Sequence, residues 1–172
     1  MNGPEIARDN VELLLDKRFL RMFDLQYAPG KHYFDVTRRT AEELVAVKSA
    51  EAAKAMLPDA VSCVVILEPD GQEPVLLLSR EYRYPAGRFL LSVPAGLIDA
   101  KDREADQPLF SAARRELREE TGITLTDEDE LTVLNPFLYS SPGMTDESNA
   151  LIGIRVRHAD LSLLDQSGAE GS

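Results

Sequence analysis

The sequence has one cysteine, two histidines, a deficit of positive charge and no long apolar run. Each shortage removes a class of function. Cys63 alone cannot form an internal disulfide, and inside the apolar run Val61 to Leu67 it reads as a small buried hydrophobe rather than a nucleophile. His32 and His158 are far apart and have no ligand-like neighbours, so neither is assigned a role. No apolar stretch approaches the roughly 18 residues of a membrane-spanning helix, and Met1-Asn2-Gly3-Pro4-Glu5 lacks the basic and then apolar order of a secretion signal. The expectation is a cytoplasmic protein that does not engage a membrane. Lys and Arg number 19 against 30 acids, for a net charge of −11. That balance argues against nucleic acid as a partner, because such binding is driven by basic surface. A small anion remains open to an acidic chain where local arginines and a bound cation invert the field.

What is present is ordinary globular material: 172 residues, 44% hydrophobic and 28% charged, enough for one domain with a real core. Residues 4–18 read as a short helix. Arg18 to Tyr27 and Lys31 to Arg39 flank the turn signal Ala28-Pro29-Gly30 and read as a hairpin. Thr40 is a candidate cap for a helix running to about Met56, with Pro58 as its stop. Ala60 to Leu67 and Val75 to Arg80 read as buried central strands, followed by strands at Phe89 to Val93, Leu131 to Leu138 and Ala150 to Val156. Strands alternating with helices, some joined by antiparallel turns, predict an α/β sandwich with a mixed sheet. The predicted organisation is an N-terminal helix/hairpin/helix region over 1–58, a main domain over 59–165, and a frayed tail over 166–172.

The chain is organised around Val93 to Asp99 and the helix that follows. Pro108 suits the first helical position and Gly122 the left-handed residue just past the end. Leu109, Ala112, Ala113 and Leu117 form an apolar stripe, and Glu116, Glu119 and Glu120 lie beside it at spacings that let their side chains converge. Three converging carboxylates repel unless a cation sits among them, and oxygen-only donors suit a hard ion, Mg²⁺ or Mn²⁺. The plainer alternative is a solvated acidic face on which Arg115 and Glu119 make a surface i,i+4 pair.

Gly96 followed by Arg115-Glu116-Leu117-Arg118-Glu119-Glu120-Thr121-Gly122-Ile123 resembles the Nudix box, Gly-x5-Glu-x7-Arg-Glu-U-x-Glu-Glu-x-Gly-U, where U is aliphatic. The resemblance implies a loop–helix–loop that binds divalent metal and a substrate diphosphate, within a Nudix-type α/β/α sandwich preceded by an N-terminal β-hairpin. One departure stands out. The Arg lies 19 residues after the Gly instead of 14, so five residues are inserted. The first acid of the box falls on Asp102 when counted forward from Gly96, and its place is taken by Gln107 when counted back from Arg115. The polar stretch Ala100 to Gln107 reads as a longer surface loop.

Glu81-Tyr82-Arg83-Tyr84-Pro85-Ala86-Gly87 with Pro94-Ala95-Gly96, and Ser140-Ser141-Pro142-Gly143-Met144-Thr145-Asp146-Glu147, are similar to two segments of the ADP-ribose pyrophosphatase branch of that superfamily. This likeness implies a substrate of the nucleoside-diphosphate-sugar class, ADP-ribose foremost, with GDP-mannose or UDP-glucose as alternatives and a non-cleaving ADP-ribose sensor as a different class. It implies metal ligation by Glu116, Glu119, Glu120 and the Ala95 carbonyl, with Arg115 orienting the acids and Gly96 allowing close backbone approach. Glu147 matches the proposed general base, on a loop read as a lid. Arg83 is a candidate phosphate ligand, and Tyr33, Phe34, Arg38 and Arg39 are candidates for nucleobase contact or for the surface of a homodimer. Ser92 stands where members commonly have Glu.

Overall fold

The computed structural model describes residues 6–165, so the tail expected at 166–172 lies outside the described residues. Contacts divide the chain into two compact units, one built from residues up to Leu57 together with Tyr139–Ser148, the other from Pro58–Leu138 and the chain from Asn149 onward.

In the first unit, the hairpin expected around Ala28-Pro29-Gly30 is present as β2 (Leu20–Ala28) and β3 (Lys31–Thr37), with Gly30 at φ 67°. Among the described residues the helix expected before it is absent. A 3-10 turn at Arg8–Asn10 leads into a strand, β1 (Val11–Lys17), which pairs antiparallel with β2 from Val11↔Leu25 to Lys17↔Leu20. The consecutive leucines 13–15 carry no helical stripe, and the free edge of β2 offers a full ladder of backbone bonds, so tertiary pairing overrides local propensity. Phe23 and Leu25 of β2 bury against Leu44.

The helix expected from Thr40 to Met56 also shrinks, to a 3-10 turn at Val45–Val47 and the short α1 (Ala50–Lys54). Ser49, not Thr40, caps it, its Oγ accepting from the Ala52 N–H at 3.2 Å. Thr40 instead donates to Glu43 through both its N–H and its hydroxyl. Val45 and Val47 are poor helix formers, and burial of Leu44 fixes the chain before a helix can run through.

The second unit is built on β4 (Ala60–Glu68), whose inward residues Val61, Cys63, Val65 and Leu67 are buried. It runs parallel to β10 (Ser148–Arg157), with Ala60 opposite Asn149 and Glu68 opposite Arg157. β9 (Glu130–Tyr139) lies beyond β10. The other edge of β4 is shared end to end by two short antiparallel strands, β5 (Val75–Leu76) at Ile66 and Leu67, and β8 (Ala95–Leu97) at Ala60 to Ser62. The sheet is therefore mixed, as expected, and the helices are few.

The strand expected over Val75 to Arg80 breaks after Leu76. Its second half becomes β6 (Ser79–Arg83), a separate hairpin with β7 (Arg88–Ser92), and β5 is exposed rather than central. The long helix matches its expected bounds as α3 (Pro108–Thr121), with Gly122 at φ 77° returning its N–H to the Arg118 carbonyl at 3.0 Å. Its Ala112, Ala113 and Leu117 bury fully against β4 and β10. That packing sets α3 against β8, the relation on which the site depends.

Candidate active site

The pairing of β8 with β4 holds Gly96 opposite Val61, and α3 presents Glu116 to it. A Cβ built on Gly96 would fall 2.0 Å from the Glu116 carboxyl carbon. The carboxylate thus occupies space that exists only because residue 96 has no side chain. Glu116 is 9% exposed, and burial pushes its carboxyl up from the ordinary value against the pull of Arg115.

Arg115 is the centre of this arrangement. Its guanidinium donates to Asp102 from Nε and Nη2 at 3.2 and 2.8 Å, to Glu116 at 2.7 Å, to Glu119 at 3.1 Å and to the Leu97 carbonyl at 2.7 Å. Asp102 is 3% exposed and also accepts from Ser111 Oγ at 2.8 Å. Burial works against its charge, but the bonds from Arg115, Ser111 and the Asp99 N–H prevail and hold it below the usual carboxylate range. Counting forward from Gly96 therefore finds the acid that pairs with Arg115, and Gln107 is only the residue before α3. The stretch read as a longer surface loop begins instead with a helical turn, α2 (Ala100–Arg103), closed by a capping box between Asp99 and Asp102. The inserted residues lie between α2 and α3.

Glu120 sits at the same end of α3. Burial and the Glu116 charge push its carboxyl up to about 7, while a backbone hydrogen bond from Ala95 draws it down. Glu81 and Arg83 of β6 also act on it, in opposite directions, and Arg83 is paired with Glu81 at 2.6 Å. The structure thus brings Gly96, Ala95, Arg115, Glu116, Glu120 and Arg83 to one locality. Glu81 was not singled out from the sequence, since an acid two residues before an arginine carries no signal of its own.

Glu119 departs from the expected convergence. It is half exposed and turned to Arg115, the i,i+4 pair foreseen as the plainer alternative. Among the described residues no three His, Cys, Asp or Glu side chains are grouped to hold a metal. The donor chemistry at Glu116 and Glu120 nevertheless fits a hard cation: both donor groups are carboxylates, mutually repelling and short of countercharge.

The loop Ser140 to Glu147 belongs to the first unit. It is not poised to swing as a lid. Asp146, 10% exposed on its side chain, accepts from Thr37 Oγ1 at 2.7 Å, Arg39 Nη1 at 2.8 Å and the Val45 N–H at 3.2 Å. Its own N–H donates to Asp35 Oδ1 at 3.0 Å, and the Val36 N–H donates to the Met144 carbonyl at 3.0 Å. Arg39 is thus consumed in an ion pair rather than offered to a ligand. Arg38 makes a looser contact with Glu147 at 3.4 Å. Tyr33 donates to the Gly143 carbonyl at 3.2 Å and, with Val45, Tyr139, Pro142 and Met144, lines an open cavity of about 220 Å³. Asp35, Thr37 and Asp146 escaped the sequence reading because nothing in their spacing marks a cluster.

Gly96→Ala is expected to leave the melting temperature nearly unchanged, because a flexible carboxylate can move aside. The same substitution should weaken Mg²⁺ binding by about ten-fold or more, as measured by calorimetry, since orientation of a ligand is worth that much. Asp35 gives a second expectation. Burial and then the Asp146 charge raise its carboxyl from 3.8 to about 6, so between those values the folded form holds the proton that the unfolded chain has lost. Its contribution to stability therefore falls as pH rises from 3.8 to 6 and is flat above. Asp35→Asn should remove a slope approaching ~1.4 kcal/mol per pH unit in that window, read from urea unfolding of both proteins.

A NUDIX domain model matches residues 56–163. An uncharacterized Nudix hydrolase of Schizosaccharomyces pombe is 40% identical over 104 residues, 60% of this chain and 44% of that protein. The ADP-ribose pyrophosphatase of Saccharomyces cerevisiae is 32% identical over 61% of this chain and 41% of its own length. The ADP-sugar pyrophosphatase of Mus musculus is 29% identical over 74% and 54%. The chain thus spans about half, or less, of the length of these curated relatives. A crystal structure of an ADP compounds hydrolase superposes over 100% of this chain and 74% of that one, with TM-score 0.58 and 21% identity, a likeness of fold. A domain match over more than half the chain, falling on the strands and helix that hold Gly96 against Glu116, places the protein in the Nudix family.

Proposed function

We propose that the protein hydrolyses the diphosphate bond of a nucleoside-diphosphate sugar, ADP-ribose foremost, giving AMP and ribose 5-phosphate. The observation that carries this reading is the Glu116 carboxylate seated against Gly96, with the half-buried Glu120 beside it and Arg83 in range of Glu120. The similarity to the yeast ADP-ribose pyrophosphatase and the mouse ADP-sugar pyrophosphatase supports this substrate class.

Glu116 and Glu120, with Glu119 once released from Arg115, would hold a divalent cation, Mg²⁺ or Mn²⁺, in keeping with the ions that Nudix hydrolases generally use. The Ala95 carbonyl is a further ligand by resemblance. When bound, the ion neutralises the diphosphate and lowers the pKa of water. Arg115 holds Glu116 in place, and Asp102 holds Arg115. Arg83 offers a planar, always-charged donor suited to a phosphate. In the hydrolysis, water adds its oxygen to one phosphorus as the bridging P–O bond breaks, and Glu147 takes the water proton. Tyr33 and Arg38 are candidates to contact the nucleobase. The protein acts on a small molecule rather than on nucleic acid, and among the described residues no helix is long and apolar enough to cross a membrane. We place it in the cytoplasm, as its sequence suggests.

The test is phosphomonoester release from ADP-ribose, GDP-mannose, UDP-glucose, NADH and dGTP with Mg²⁺. The expected result is fastest turnover of ADP-ribose, falling about a hundred-fold or more in Glu120→Gln. A different preferred substrate would discard ADP-ribose and keep the chemistry. Binding of ADP-ribose with no turnover of any compound would replace the enzyme by a sensor.

We also propose a homodimer. Leu13, Leu14, Phe19 and Leu20 on or beside the first sheet are all at least 40% exposed, apolar surface that a second copy of the chain would cover. Light scattering should give twice the chain mass of 19.1 kDa; a single chain mass at micromolar concentration would reject the dimer.

A further inference from the structure

Asp146 and Glu147 are neighbours with opposite circumstances. Every polar group of Asp146 is engaged: Oδ1 by Thr37 and Arg39, Oδ2 by the Val45 N–H, its carbonyl by Arg39 at 3.2 Å, and its N–H by Asp35. These partners come from β3, from the residues just after it and from the turn at Val45, so the peptide at 146 is fixed from three directions. Glu147 has its backbone fixed too, its N–H donating to Thr145 Oγ1 and its carbonyl accepting from the Ser140 N–H, both at 3.0 Å. Its side chain is 37% exposed and, among the described residues, restrained only by the 3.4 Å contact with Arg38.

An ion pair with both side chains only 10% exposed, Arg39 with Asp146, beside the buried Asp35, is an expensive way to close a loop, since well-packed apolar residues of similar volume would do it at least as stably. What charged, fully bonded groups add is a single geometry. We propose that Asp146, clamped by Arg39, Thr37 and Val45, is a positioning residue that sets the reach and direction of the Glu147 carboxylate. This rests on the reading of Glu147 as the general base. Arg39 belongs to the same clamp, which removes it from the set of substrate ligands.

The test is a double-mutant cycle on kcat and KM for ADP-ribose with Mg²⁺, using wild type, Asp146→Ala, Glu147→Gln and the double variant, with Asp146→Asn beside them. Asp146→Ala is expected to lower kcat about ten- to a hundred-fold, the cost of a misplacement near 1 Å, with KM changed less than about three-fold. In the Glu147→Gln background it should lower kcat no further, because there is no base left to misplace. Asp146→Asn keeps an oxygen for Thr37 and Arg39 and should recover part of the loss. Without metal or substrate, amide exchange of Met144 to Glu147 should quicken at least ten-fold in Asp146→Ala and stay as in wild type in Glu147→Gln.

Equal losses of kcat in both backgrounds, an unchanged kcat in Asp146→Ala, or unchanged exchange would overturn the positioning role while leaving the base intact. A wild-type rate in Glu147→Gln would remove the base itself, and the positioning role with it. Should Asp146→Ala not fold, Thr37→Val and Asp146→Asn carry the same cycle with smaller factors.

Discussion

The arrangement of the site depends on one guanidinium. Arg115 ties together a buried acid from α2, the carboxylate seated at Gly96, the exposed Glu119 and the carbonyl of Leu97 at the end of β8. A planar group with five donors can serve several acceptors at fixed angles, which a lysine cannot. Because Asp102 is buried and ionised, the charge on Arg115 is already matched on one side, and Glu116 and Glu119 compete for what remains. This leaves Glu116 and Glu120 with less positive charge than they need, a deficit of the kind a cation relieves.

The elements that carry strong local signals were legible in the sequence. α3 announces itself through Pro108, Gly122 and the stripe of Leu109, Ala112, Ala113 and Leu117, and it is found at the bounds those residues set. β4, β9 and β10 are long apolar runs and appear where expected. The failures share a cause. Val11 to Lys17 and the stretch after Thr40 are decided by what the chain meets in space, a free strand edge or a buried leucine, and spacing along the chain holds no record of that.

The site was legible to the same degree and for the same reason. Box residues on one helix have a register that can be counted, so Arg115, Glu116 and Glu120 were found together with their glycine. The direction in which Glu119 points was not, because i,i+4 and i,i+3 neighbours are both in reach and the choice depends on which partner holds the guanidinium. Asp102 was one of two possibilities until the capping box fixed it. The cluster of Asp35, Thr37, Arg39 and Asp146 joins residues separated by more than a hundred positions, and no local pattern could have disclosed it.

The parallel pairing of β4 with β10 bears on how the protein comes into being. Ala60 finds its partner only at Asn149, and α3 and the two short edge strands β5 and β8 lie in the chain between them. Closing so long a loop is entropically costly before any contact compensates it. On the ribosome, α3 can form as soon as it emerges, but the sheet it packs on stays incomplete until β10 has been made. The apolar stripe of α3 therefore stays partly uncovered from its own synthesis until β10 has been made.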